Sequence, residues 1–156
     1  MLPEALLRRV RGEFGLDLEG LHGEAHWARV RENGRRLAEL TGADPLIVEY
    51  FAYLHDCQRQ NDGFDREHGR RAAAFAEGLE PSLLPLSGRR RQLLIYACAY
   101  HSDGLTQAPL SVQVCWDSDR LDLGRIHIEP DPTYLCTAAA RDPALIEWAL
   151  RRSQQA

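Results

Sequence analysis

The chain has 156 residues, 44% hydrophobic and 27% charged, which suits a single soluble globular domain with room for a proper core. A formal net charge of -4 provides no general attraction to nucleic acid. No stretch approaches the ~20 consecutive apolar residues of a membrane-spanning helix, and Met1-Leu2-Pro3-Glu4 lacks the basic flank and apolar run of a signal peptide.

Helical periods and helix punctuation dominate, and alternating strand patterns are nearly absent. Pro3 to Phe14 predicts an opening amphipathic helix with Leu6, Leu7, Val10 and Phe14 on one side. Residues 15–23, with three glycines, make a loop. A second helix is expected from about Glu24 to Leu40, with His26, Val30, Leu37 and Leu40 near one stripe and Gly42 as its C-terminal stop. Asp44-Pro45 is an N-cap followed by proline at the first helical position, and it launches a third helix ending near Asp56. Asn61-Asp62-Gly63 is a turn, after which Asp65 caps a helix through Ala76 that carries His68.

Ser87 opens the next helix, which runs to His101 and is ended by Ser102-Asp103-Gly104. The arginines Arg89, Arg90 and Arg91 read as its solvated first turn. Pro109 to Leu123 follows, with Val112, Cys115, Trp116 and Asp119 at three- and four-residue spacings. The segment 124–137 contains Pro130 and Pro132 and reads as irregular, with extended chain half expected only at Arg125-Ile126-His127-Ile128. Asp142-Pro143 repeats the cap-and-proline signal and opens a last helix to about Arg152. No repeat, low-complexity tract or linker divides the chain. The expectation is one all-α domain over 1–156, a compact bundle of about six or seven helices.

Cys57, Cys98, Cys115 and Cys136 show no Cys-x-x-Cys pairing, and three of them fall inside apolar helical patterns. Reduced cysteine behaves there as a small hydrophobe, so a cytoplasmic location is expected.

Chemistry concentrates where the apolar run ending in Tyr53-Leu54 meets His55 and Asp56. His26 lies 29 residues before His55, and Asp119 lies 63 residues after Asp56. Nitrogen and carboxylate donors from three separate helices can converge on one divalent cation. Imidazole with carboxylate suits Mn, Fe, Ni, Co or Zn, and the carboxylates also admit Mg. The competing reading is a histidine hydrogen-bonded inside a bundle, with Asp56 capping a neighbouring helix. Asp117 and Asp119 diverge by about 200° around a helix and cannot both face one ion. Asp119 shares a face with Val112 and Cys115, whereas Asp117 has Val114 and Leu121 on its side, so the period alone leaves both open. His22 is bracketed by Gly20 and Gly23 and is placed before the second helix, at the mouth of a cleft; His127 is assigned a structural role.

Three segments in order, His26-Trp27-Ala28-Arg29-Val30, Leu54-His55-Asp56 with Arg59 beyond it, and Asp117-Ser118-Asp119-Arg120-Leu121-Asp122, resemble the HD superfamily of metal-dependent phosphohydrolases. The resemblance covers roughly two-thirds of the chain. It implies His26, His55, Asp56 and Asp119 as metal ligands, with Asp119 preferred to Asp117 because it precedes Arg-Leu-Asp. Asp122 then orients a ligand histidine or Arg120. His68 and His101 would bind a second metal bridged by Asp56, or else contact substrate, giving one or two ions per chain.

The implied activity is hydrolysis of a nucleotide or other small phosphate ester by a metal-activated water, with Asp56, Arg59 and Arg120 as the catalytic residues. Each arginine would neutralise phosphoryl charge; the plainer alternative is a salt bridge, Arg59 to Asp62 or Asp65 and Arg120 to Asp117 or Asp122. The chain offers no Gly-x-Ser-x-Gly elbow and no phosphate-cradling glycine loop, in keeping with direct water attack. Trp27, Tyr100 and Trp116 read as core aromatics before base-stacking groups. Two other classes remain: a metal-containing module that binds nucleotide without turnover, and a di-iron oxygenase on the same fold, which needs both extra histidines. The expected partner is a small phosphorylated substrate, with neither membrane nor nucleic acid, and a homo-oligomer is compatible with the sequence.

Overall fold

The computed structural model describes residues 2–155. Seven α-helices and two 3-10 turns follow in order: α1 (Glu4–Glu13), α2 (Glu24–Thr41), α3 (Pro45–Leu54), α4 (His68–Glu77), α5 (Gly88–Tyr100), α6 (Leu110–Arg120), the 3-10 turns Leu123–Ile126 and Pro132–Tyr134, and α7 (Pro143–Ser153). There is no strand among the described residues. None of their helices is long and apolar enough to cross a membrane.

The helix boundaries have local causes. Asp44 accepts a hydrogen bond from the Leu46 N–H, and Asp142 does the same for Ala144, each with proline at the first helical position. Gly42 ends α2 in the left-handed region at φ 82°. Packing then fixes the bundle. α2, α3 and α6 lie against one another, α5 packs on α3, α4 and α6, and α7 closes over α2 and the first 3-10 turn. Gly34 permits the crossing of α2 and α3, since a Cβ there would stand 2.0 Å from Val48 Cγ1. The core runs continuously through Leu6, Trp27, Leu37, Phe51, Leu94 and Trp116. Trp27 and Trp116 are buried, and the Trp116 indole donates to the Ala97 carbonyl at 3.0 Å.

Three local expectations differ from the structure. Asp65 does not cap α4: its carboxylate accepts from the Gln60 N–H at 2.7 Å and pairs with both oxygens on Arg71 at 2.6 Å, and α4 begins at His68. A charge-assisted, two-oxygen contact of this kind outcompetes a cap. Residues 125–128 are not extended; Arg125 and Ile126 belong to a 3-10 turn, and His127 is in the left-handed region at φ 62°. With no neighbouring strand to pair with, alternation alone cannot hold an extended chain. Leu40, in the last turn of α2, is 62% exposed rather than part of the buried stripe.

Candidate metal centre

The sequence places histidines at helix ends, and the helix ends explain how they point. The last carbonyls of a helix have no intrahelical partner. His55, at the C-cap of α3, donates its Nδ1–H to the Phe51 and Ala52 carbonyls at 3.1 Å. His101, at the C-cap of α5, donates likewise to Cys98 at 2.8 Å. His68, the first residue of α4, donates Nδ1–H to the Asp65 carbonyl at 2.6 Å. His26, in the first turn of α2, donates to the Asp122 carboxylate at 2.7 Å. A carbonyl can only accept, so these contacts assign the Nδ1 protons and turn four Nε2 lone pairs inward.

Those four Nε2 atoms form two clusters that share Asp56. In the first, His26 and His55 Nε2 are 3.1 Å apart, and Asp56 Oδ2 lies 3.2 and 3.4 Å from them. Asp119 Oδ1 completes the group at 3.3 Å from each ring. In the second, His68 and His101 Nε2 are 2.9 Å apart, with Asp56 Oδ1 at 3.3 and 3.6 Å. Ligand atoms about 2.1 Å from one cation, at angles of 90–110°, stand roughly 3.0–3.4 Å from one another. Two imidazoles whose Nδ1 protons are committed cannot face lone pair to lone pair at this range without a proton or a cation between them. His26, His55 and Asp56 form one buried group able to hold a metal ion, and Asp56, His68 and His101 form another.

The electrostatics agree. Burial opposes a charged His55, yet the Asp56 and Asp119 carboxylates outweigh it and push the ring up to about 10. His26 is also raised: burial and Arg125 oppose the charge, and Asp119, Asp122 and Asp56 outweigh both. Burial would raise Asp56 and Asp119, but His55 and the surrounding rings hold both carboxyls well below the usual range. His101 is lowered by burial despite its contact with Asp56. The cluster is therefore an anionic pair among imidazoles, poised for positive charge.

The two aspartates of α6 separate cleanly. Asp119 faces the histidines. Asp117 points away and accepts from the Cys136 N–H at 2.6 Å, the Thr137 N–H at 3.0 Å and the Thr137 hydroxyl at 2.8 Å. Asp122 orients His26 and also accepts from Arg29 Nε at 2.7 Å.

Arg59 and Arg120 both line a cleft of about 820 Å³ that opens over Asp56, Asp119, His68 and His101. Arg59 does not pair with Asp62 or Asp65; its Nε donates to Asp56 Oδ1 at 3.3 Å, and its Nη1 to the Asn61 and Gly63 carbonyls. Arg120 pairs with neither Asp117 nor Asp122. It donates to the Tyr134 carbonyl at 2.8 Å and packs on Trp116, and its buried Nη2 has no hydrogen-bond partner. His22 lines the same cleft, with Nδ1 2.9 Å from Asp62, and His127 is exposed.

Sequence reasoning missed Arg125 and Arg29. Arg125 also lines the cleft, donating to the Leu21 and Asp122 carbonyls. Spacing offered a signal for each: Arg29 is one turn past His26, and Arg125 is three past Asp122. All four cysteines are free, three of them buried.

Comparison with protein-family models, curated proteins and solved structures gave no match. Fold and site on their own define an all-α protein with a buried His/Asp centre that could hold a metal ion.

Proposed function

We propose that the protein is a metal-dependent phosphohydrolase of the HD type, acting on a nucleotide or other small phosphate ester. The observation that carries this reading is Asp56, whose two oxygens face two histidine pairs at the floor of an open cleft. A divalent cation there would supply a Lewis acid for a phosphoryl oxygen and lower the pKa of water. His26, His55, Asp56 and Asp119 would hold it, and His68 and His101 would hold a second ion with Asp56. The protein's other groups prepare the site. Asp122 and the helix-end carbonyls fix the ring orientations. Arg59 at the floor, with Arg120 and Arg125 in the cleft wall, provides cationic surface for a phosphate.

The test is phosphate release from a panel of nucleotides and phosphate esters with Mn, Fe, Ni, Co, Mg and Zn, alongside Asp56→Ala. Metal-dependent release that disappears in the variant supports the reading; no release from any ester with any metal overturns it. The second histidine pair also favours a di-iron oxygenase as a second reading, so oxygen uptake by iron-loaded protein belongs in the same panel. Intact nucleotide recovered after prolonged incubation with Mn would indicate a binding module instead.

A further inference from the structure

The cleft has two chemically different halves. Its floor is the His/Asp centre with Arg59. Its outer wall is the segment that follows α6, which presents the apolar Leu123, Ile126, Ile128, Pro130, Tyr134 and Leu135 alongside the charged Arg125, Glu129 and Asp131. Ile126, Ile128 and Tyr134 are 37%, 49% and 57% exposed, although large apolar side chains gain by leaving water. Three more exposed apolar residues, Leu21, Phe64 and Leu105, are chain neighbours of the cleft residues His22, Gly63 and Gly104. Of the nine large exposed hydrophobics among the described residues, three line the cleft itself and three adjoin its lining residues in sequence. Exposed apolar surface concentrated this way marks a ligand groove, and the volume lies within the small-molecule range.

The wall is held in place rather than left loose. Arg125 ties its start to the Leu21 and Asp122 carbonyls, and Arg120 ties its far end to the Tyr134 carbonyl. Asp117 receives the Cys136 and Thr137 N–H groups immediately beyond. The polar side chains of this outer half are mostly charged, Arg120 and Arg125 beside Asp62, Glu129 and Asp131, and Asp62 and Asp131 are already engaged by His22 and the Thr133 N–H. No Asn or Gln side chain lines the cleft. Sugar hydroxyls laid on isoleucine and proline would lose their hydrogen bonds to water without replacement.

We propose that the substrate is a phosphate monoester with a bulky, apolar organic group, its phosphate at the His/Asp floor and its organic group against Ile126, Ile128 and Tyr134. This rests on the phosphohydrolase reading and selects one class among the esters that reading allows. The test uses ligands that are not turned over. Binding of 1-naphthylphosphonate and methylphosphonate to the Mn-loaded protein is measured by calorimetry, with the non-hydrolysable phosphonate isostere of ribose 5-phosphate as a polar ligand of comparable size. One buried naphthyl face favours the first over methylphosphonate by about 30-fold, and the ribose phosphonate gains no such preference. In the double variant Ile128→Asn, Tyr134→Ser, whose sites are exposed and whose folding is checked by circular dichroism, the naphthyl preference falls below about 5-fold. Equal binding of naphthyl- and methylphosphonate by the parent, tighter binding of the ribose phosphonate, or an undiminished naphthyl preference in the variant overturns the proposal. Failure of the hydrolase reading is registered separately, as absent phosphate release, because the phosphonate comparison needs no turnover.

Discussion

Asp117 and Asp119 stand two residues apart on α6, and the structure gives them unrelated tasks that a pair of substitutions separates. Asp117→Ala leaves two backbone N–H groups and the Thr137 hydroxyl without their acceptor. At about 1–1.5 kcal/mol for each lost hydrogen bond, destabilisation is about 3–4 kcal/mol. Burial pushes the Asp117 carboxyl up, so the ionised group is itself costly there and the lower end is the better figure. For a domain of this size that is a fall in Tm of roughly 8–12 °C. Asp119→Ala removes the oxygen 3.3 Å from both His26 and His55. It should abolish the rise in melting temperature that added metal produces. With free metal at a thousand times Kd, that rise corresponds to ~4 kcal/mol in the parent. Differential scanning calorimetry with and without Mn, plus metal analysis, reads both effects. Asp117→Ala should start lower and keep the metal-induced rise; Asp119→Ala should lack that rise. Full metal stabilisation of Asp119→Ala, or parent-like melting of Asp117→Ala, would refute the assignment.

Asp56→Ala should lose all tightly bound metal, whereas His101→Ala should fall only from two ions toward one; a parent that stays at one in excess metal returns His68 and His101 to substrate or structural roles. Gly69→Ala places a Cβ 2.7 Å from the Cys98 carbonyl and 2.9 Å from that of Ala99. It should force α4 off α5, cost about 1–3 kcal/mol and weaken the His68–His101 site selectively, as read by metal titration. Arg59→Ala should retain metal and fold but lose roughly 10- to 150-fold in kcat/KM, the equivalent of one charge-assisted contact of about 1.5–3 kcal/mol, with Arg59→Lys recovering only part. Metal affinity should rise with pH: His55, held up to about 10, keeps its proton at neutral pH in metal-free protein, and a cation must displace it. Proton release measured by calorimetry in buffers of different ionisation enthalpy checks this, and metal uptake without proton release would contradict it.

Much of the helix layout was legible because its causes are short-range. Asp44-Pro45, Asp142-Pro143 and Gly42 punctuate helices through contacts within a few residues. The convergence of His26, His55, Asp56 and Asp119 was legible for a related reason: each stands on or beside an apolar helical face that must turn inward. The choice between Asp117 and Asp119 was not decided by period, because both faces of α6 are buried. Asp117 is spoken for by a backbone turn nearly twenty residues later, and no local pattern encodes that. Asp65 went astray similarly, since Arg71 competes for its carboxylate.

The segment after α6 shows why the remainder was hidden and why it matters. Its prolines and 3-10 turns carry no hydrophobic period, so its position depends on Arg120 and Asp117 reaching out from α6 and on its own Arg125 reaching back to the Leu21 and Asp122 carbonyls. Those three belong to the same stretch of chain as Asp119 and Asp122, which serve the His/Asp centre. One end of α6 and its continuation therefore set both the centre and the wall facing it. Changes to apolar residues of the wall can alter which organic group is accepted while leaving the centre intact, because anchoring falls to Arg120, Arg125 and Asp117 and not to Ile126, Ile128 or Tyr134 side chains. Changes to the anchors cannot be so selective. Loss of the Arg125 guanidinium would free the wall and also remove a positive charge that holds down His26.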